Sequence, residues 1–308
     1  MLAVLFAVSV LVPGGLTKVS LLSMLPFAAI LAIAAAGQTL VVQQRGVDFS
    51  VAGVIALSTV IVSKYPGGDG GKAVPAILIA LAAGAAAGML NGFAVTRLHI
   101  TPLIATLGVN ALLLGATRTY SNGSLSKVPS GLNHIFVDDT LKVPNTVWLA
   151  VASIAVMALL LKRSTFGRRL EAIGANPRAA AASGLRVDRH VVLVYALGGL
   201  CYALAGTVLA AYVETPSLIS GDRYLLSTVA AVVIGGTALT GGRASVVASA
   251  GAALFLSQLD QFVVALGAPN SVQLLLQSLA LALAVGVRQV SGRLPWGGLR
   301  RSERAVSG

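Results

Sequence analysis

The chain is predicted to be an all-α, polytopic membrane protein, and three observations predict it. Of its 308 residues, 56% are apolar and only 10% are charged, whereas ordinary globular chains carry roughly 25% charge. The mean hydropathy is +0.87, which leaves too little polar surface for a water-soluble fold and excludes a disordered tail. The apolar residues gather into about ten runs, while the 34 glycines are scattered without a period, so neither a collagen-like repeat nor a coiled coil fits.

A helix needs about 20 mainly apolar residues to cross the hydrocarbon. The runs lie at about 2–12, 19–42, 49–65, 74–96, 101–120, 144–161, 191–213, 225–240, 246–266 and 271–287. The first holds eleven residues before Pro13 and Gly14 and reaches only about 17 Å at the helical rise. A secretory signal would need a charged leading region and a small-residue cleavage site, which the segment lacks. The chain is expected to start inside a longer first helix, through truncation or a late start codon.

Between the second and third runs, Gly46, Asp48 and Ser50 form a structural motif, with Asp48 expected to cap the third helix. In the fourth run, Gly84, Gly88 and Gly92 stand four apart and allow another backbone close approach, within the chain or at a subunit interface. In the fifth, Thr106, Asn110 and Thr117 share one helix face. An uncharged polar stripe suits the passage of a neutral, hydroxylated solute; bonding to a neighbouring helix is the other reading. The eighth run ends in Gly235, Gly236, Gly241 and Gly242, which read as unwound backbone near a pathway or as a flexible turn. Asp260, about two turns from the outer end of the ninth run, either faces a water-filled vestibule or reaches the interface.

The net charge of +12 does not mark a nucleic-acid binder, because the Lys and Arg residues sit in connections between apolar runs. With both chain ends cytoplasmic, fifteen of them lie inside and seven outside, as positive-inside topology requires. Tyr65, Tyr120, Trp148, Tyr212 and Tyr224 fall at the outer ends, where amphipathic rings prefer the headgroup level. Cys201 is the single cysteine and the three histidines are scattered, so no disulfide, metal site or cofactor is expected. PGGDGGKA at 66–73 imitates a phosphate-binding loop, but Pro66 and Ala73 stand where Gly and Ser or Thr are required. No nucleophile and base spacing indicates an enzyme.

The basic connection at about 162–190 carries the clearest local signal. Asn176 is a good N-cap, Pro177 suits the first helical position, four alanines including Ala180 and Ala181 follow, and Ser183 and Gly184 close the segment. A helix of about two turns is marginal alone. Its alanine face is expected to enter a groove on a partner, or else to lie against its own bundle or the headgroups.

These segments together, GVDFSVAGVIALS at 46–58, NGFAVTRLHITPLIATLG at 91–108, YSNGS at 120–124, FGRRLEAIGANPRAAAASGL at 166–185 and VAAVVIGGTALTGGRAS at 229–245, resemble the permease subunits of bacterial ABC importers of the ribose type, grouped with the branched-chain amino acid permeases. The resemblance runs from about Leu21 to Val290. Ala52 and Phe49 depart from the usual Gly and Leu, and the basic N-terminal extension and full first helix are missing.

The resemblance implies a single permease domain over 1–308 in the bacterial inner membrane, with a basic cytoplasmic tail at 288–308. It pairs with itself or a paralogue, two cytoplasmic ATPase subunits and a periplasmic or lipid-anchored solute-binding protein. Residues 176–184 would be the coupling helix, the passage would lie between the two permease subunits, and Thr106, Asn110 and Thr117 would contribute to it. The solute is expected to be small and sugar-like, with a branched-chain amino acid or a furanose signal as alternatives. A stand-alone carrier or channel is the competing class.

Overall fold

The computed structural model describes residues 17–123, 126–269, 271–273 and 275–280, with Ala282 and Gly286 beyond. Its helices are α1 (Lys18–Gln43), α2 (Val51–Lys64), α3 (Ala73–Arg97), α4 (Pro102–Ser121), α5 (Ser130–Val137), α6 (Asn145–Arg163), α7 (Thr165–Ala175), α8 (Pro177–Ala182), α9 (Val187–Val213), α10 (Asp222–Ile234) and α11 (Val246–Ala265). A further apolar helix, α12, covers Ser271–Ala280. The only strands among the described residues are Asp139–Thr140 and Val143–Pro144, an antiparallel pair in the loop before α6.

Five helices among the described residues are long and apolar enough to cross a membrane: α1, α3 with the 3₁₀ turn before it, α6, α9 and α11. Helix α4 has 20 residues, whereas α2 with 14 and α10 with 13 are short, about 20 Å each at the helical rise. The expected count of about ten is therefore not reached within the described residues. The run at 2–12, the end of the tenth run, both termini and the basic tail lie outside them.

Helix α1 is apolar on all sides, and such a helix is stable only when surrounded. From Ala28 to Gln43 it is buried without a break, packed mainly by α6, α9, α10 and α11. The tightest helix pair is α3 against α9. A Cβ at Gly84 would collide with the Gly199 carbonyl, one at Gly88 with the Tyr195 carbonyl, and one at Gly199 with the Gly84 carbonyl. The glycine repeat of α3 thus serves packing within the chain.

The outward faces of α3, α4 and α6 are apolar, with Phe93, Ile104, Leu112 and Val156 among the exposed side chains, a surface that suits lipid or a second membrane subunit. Trp148, Tyr65 and Tyr120 are exposed at helix ends as anticipated. Tyr224, in the first turn of α10, is instead buried, its ring centroid 5.8 Å from the Arg223 guanidinium.

Candidate functional site

The basic connection folds as two helices rather than one. Ser164 caps α7, its Oγ accepting from the Gly167 N–H at 3.1 Å, and Gly167, Leu170, Ile173 and Gly174 turn one face of α7 into the bundle. Asn176 then caps α8, its Oδ1 accepting from the N–H groups of Arg178 and Ala179 at 3.1 Å each. Pro177 occupies the first turn as expected. Gly184, at φ +85°, ends the helix. Its N–H donates to the Ala181 carbonyl and that of Leu185 to the Ala180 carbonyl, the paired bonds that leave a helix at a left-handed glycine.

The alanines divide into two faces. Ala180 is 4% exposed and seats α8 on its own subunit, whereas Ala179, Ala181, Ala182 and Ser183 are exposed. The surface available to a partner is therefore the Ala181 side.

The segment is anchored by three chain pieces far apart in sequence. Arg45 follows α1 at φ +71°, a conformation that costs an L-residue about 1–2 kcal/mol. Its side chain offsets that cost: Nε donates to the Gly174 carbonyl at 2.7 Å and Nη2 donates to the Ala175 carbonyl. These are the last carbonyls of α7, where the helix dipole favours a cation. The Gly242 N–H donates to the Gln43 carbonyl at 2.9 Å. A Cβ at Gly174 would strike that same Gln43 carbonyl, and one at Gly241, which sits at φ +81°, would lie 2.5 Å from Arg45 Cγ. Arg243 and Glu171 add an ion pair at 3.3 Å across the exposed rim. The glycines at 241 and 242 thus form a tight seat beside Arg45, while Gly235 and Gly236 end α10 against α11, where a Cβ at Gly235 would meet Ser249 Cα at 2.7 Å.

Behind this junction lies a buried polar cluster. Asp48 is fully buried, and its Oδ1 accepts from the Ser50 N–H at 2.9 Å, the Ser50 hydroxyl at 2.6 Å and Asn91 Nδ2 at 3.4 Å. Asn91 Nδ2 also donates to Ser50 Oγ at 2.8 Å. With its amide oriented to satisfy both neighbours, Gln38 donates to the Asp48 carbonyl at 3.1 Å and accepts from the Asp48 N–H at 3.2 Å. Gly46 supplies the space here, since a Cβ would lie 2.6 Å from the Tyr195 hydroxyl.

The expected cap by Asp48 on the following helix is not the arrangement found. Asp48 folds back onto Ser50, and the free N–H groups at the start of α2 are taken from α4. The Phe49 N–H donates to Thr106 Oγ1 at 3.1 Å and the Gly53 N–H to Asn110 Oδ1 at 2.7 Å. Thr117 donates within its own helix to the Leu113 carbonyl at 2.8 Å and is buried. The polar stripe of α4 therefore faces α2, in keeping with the cost of leaving helix-end donors unpaired in hydrocarbon.

The arrangement holds no group of three or more His, Cys, Asp or Glu that could bind a metal ion among the described residues. What it offers is mechanical: a small outward knob, rigidly tied at one end of the bundle to the central helix and to the α10–α11 loop.

The sequence profile of the family described as "Branched-chain amino acid transport system / permease component" matches residues 20–285. The ribose import permease protein of Bacillus subtilis (strain 168) is 33% identical over 282 residues, covering 90% of this chain and 87% of that protein. The ribose import permease protein of Escherichia coli (strain K12) is 33% identical over 292 residues, covering 92% and 90%. The fructose import permease protein of Rhizobium meliloti is 30% identical over 270 residues, covering 85% and 75%. No solved structure matches the chain. With the profile matching most of its length and a bundle of apolar helices carrying an anchored loop knob, the chain belongs to the branched-chain amino acid transport system permease component family, and is an inner-membrane permease subunit of an ABC importer.

Proposed function

We propose that this subunit, paired with itself or a paralogue, passes a small sugar-like solute into the cytoplasm by alternating access. A periplasmic or lipid-anchored binding protein delivers the solute, and two cytoplasmic ATPase subunits supply the motion. The observation that carries the reading is α8, a one-and-a-half-turn helix with its Ala181 side exposed and its root tied to α1 through Arg45. A helix so short does not persist in water unless something holds it, and this one is held in a position that presents small side chains outward. ATPase closure against that surface would pull α7 and, through the Gln43–Arg45 segment, the central helix. Ribose, fructose and autoinducer 2 in the names of the relatives support a hydroxylated solute.

The test is Ala181→Glu in the complete importer, assayed in nanodiscs for ATPase co-purification and in vesicles for ATP-driven uptake. A carboxylate on the docking face should reduce uptake and ATPase retention at least tenfold, about 1.4 kcal/mol, with membrane insertion unchanged. Full uptake by this variant would remove the assigned role from α8. Uptake of labelled D-ribose or D-fructose against L-leucine decides the solute class.

A further inference from the structure

At the end of the bundle opposite α8 lies a cavity of about 390 Å³ that the coupling apparatus does not use. Its walls include Phe27 of α1, Arg223 of α10, Ser257 and Asp260 of α11, and Gln273 and Gln277 of α12. Helix α11 starts at Val246, next to the glycine seat of the junction, so Asp260, fourteen residues along, lies about 21 Å away along the helix axis. By the distribution of positive charge this is the outer side.

The chemistry of the cavity is dense and balanced. Gln277 Nε2 donates to Asp260 Oδ1 at 2.7 Å, and the Ser227 hydroxyl donates to Gln277 Oε1 at 3.3 Å. Arg223 Nη2 stands 3.7 Å from Asp260 Oδ2, with the two side chains 49% and 19% exposed. The guanidinium lies 5.2 Å from the Phe27 ring centroid and 5.8 Å from that of Tyr224. Beyond the Arg223–Asp260 pair is a much smaller void reaching Leu31 and Tyr224. The Tyr224 hydroxyl there is buried with no hydrogen-bond partner among the described residues. The ion pair thus forms a polar floor between a solute-sized chamber and a closed neck.

An acidic side chain inside a membrane helix is costly and marks a functional site by default. Three features indicate what this one takes. The volume falls within the roughly 300–1,000 Å³ of small-molecule sites. The carboxylate, guanidinium and carboxamides are planar groups that pair with two adjacent atoms at once, as vicinal hydroxyls present them. Asp260 and Arg223 cancel in charge, so the site calls for no net charge on its guest, while a branched alkyl chain would offer these polar groups no hydrogen-bond partner.

We propose that this cavity is a binding site for a neutral, polyhydroxylated solute, held by Asp260, Gln277 and Arg223 above the closed neck. It rests on the sugar-importer reading and adds a station within the single subunit, on the delivery side.

The experiment uses the full chain in nanodiscs with Gln261→Cys as reporter, because Gln261 lines the same cavity and the native Cys201 is buried. Modification by a charged methanethiosulfonate reagent is timed with and without D-ribose, D-fructose or L-leucine. In parallel, ATP-driven uptake by the complete importer identifies which of them is carried. The carried sugar should slow labelling roughly tenfold at ten times its Kd. Asp260→Asn, or Gln277→Met as a shape-preserving alternative, should abolish that protection, each variant being timed with and without sugar against its own sugar-free rate. A reporter inert to the reagent, or labelled equally fast with the carried sugar present, overturns the cavity proposal and leaves the importer reading intact. Uptake of L-leucine alone overturns the sugar reading itself, and protection by L-leucine alone overturns the assigned ligand class.

Discussion

Arg45 offers the most direct test of the junction, because a single side chain bridges the end of α1 to the end of α7. Arg45→Ala removes two hydrogen bonds from a guanidinium to backbone carbonyls, one to Gly174 at 2.7 Å and one to Ala175. Bonds from a charged donor are worth about 1.5–3 kcal/mol each. The Ala175 bond is exposed to solvent and counts for little, so the loss is about 2–3 kcal/mol in total. At 1.4 kcal/mol per decade, local opening of α8 should become roughly 30- to 150-fold more frequent. Hydrogen exchange by mass spectrometry reads this directly on a peptide covering 174–185, where the N–H groups of Ala180, Ser183, Gly184 and Leu185 are bonded within the α8 turn. Amides in the middle of α9 serve as the internal control. Arg45→Lys should fall between, since an ammonium keeps the charge but not the fork. Arg45→Gly should match Ala in exchange even though glycine relaxes the φ of +71°. Exchange at 174–185 within twofold of the parent in Arg45→Ala would refute the junction as the mount of α8.

Other consequences are sharper in outcome and simpler to measure. Gly88→Val places a branched side chain against the Tyr195 carbonyl, an overpacking that costs 1–3 kcal/mol or more; the variant should fail to accumulate as folded protein, and normal yield with normal melting would contradict the close α3–α9 packing. Asn110→Leu leaves the Gly53 N–H without its acceptor, a penalty of about 1–3 kcal/mol. Thermal melting should drop while the KM for uptake stays constant; a changed KM with unchanged melting would instead place Asn110 on the solute path.

The limits of sequence reading here follow from the physics of the bilayer. Hydrocarbon thickness forces apolar runs of a set length, so the run expected at 19–42 emerges as Lys18–Gln43 and that at 144–161 as Asn145–Arg163. Caps are equally legible when donor and acceptor are neighbours, as with Asn176 and Pro177 at α8. Helix α7 is less legible because arginines surround it, although Ser164 and the spacing of Leu170, Ile173 and Gly174 carry its signal. Four successive alanines contain no periodicity, and nothing in them distinguishes inward Ala180 from outward Ala181.

Partners across the fold are a different matter. The spacing of Thr106 and Asn110 reveals a shared face but not that the face caps α2, and nothing in the sequence shows that Gln43–Arg45, Gly174 and Gly241–Gly242 meet. In water the Phe49 and Gly53 N–H groups would have solvent as an alternative partner; inside a membrane they must find protein. The polar inventory of a membrane chain is therefore informative about how many internal bonds exist, while their pairing belongs to the tertiary structure. In the proposed mechanism the pairing would also be the path of force, because the Arg45 bonds that satisfy the last carbonyls of α7 are the ones that tie α8 to the central helix.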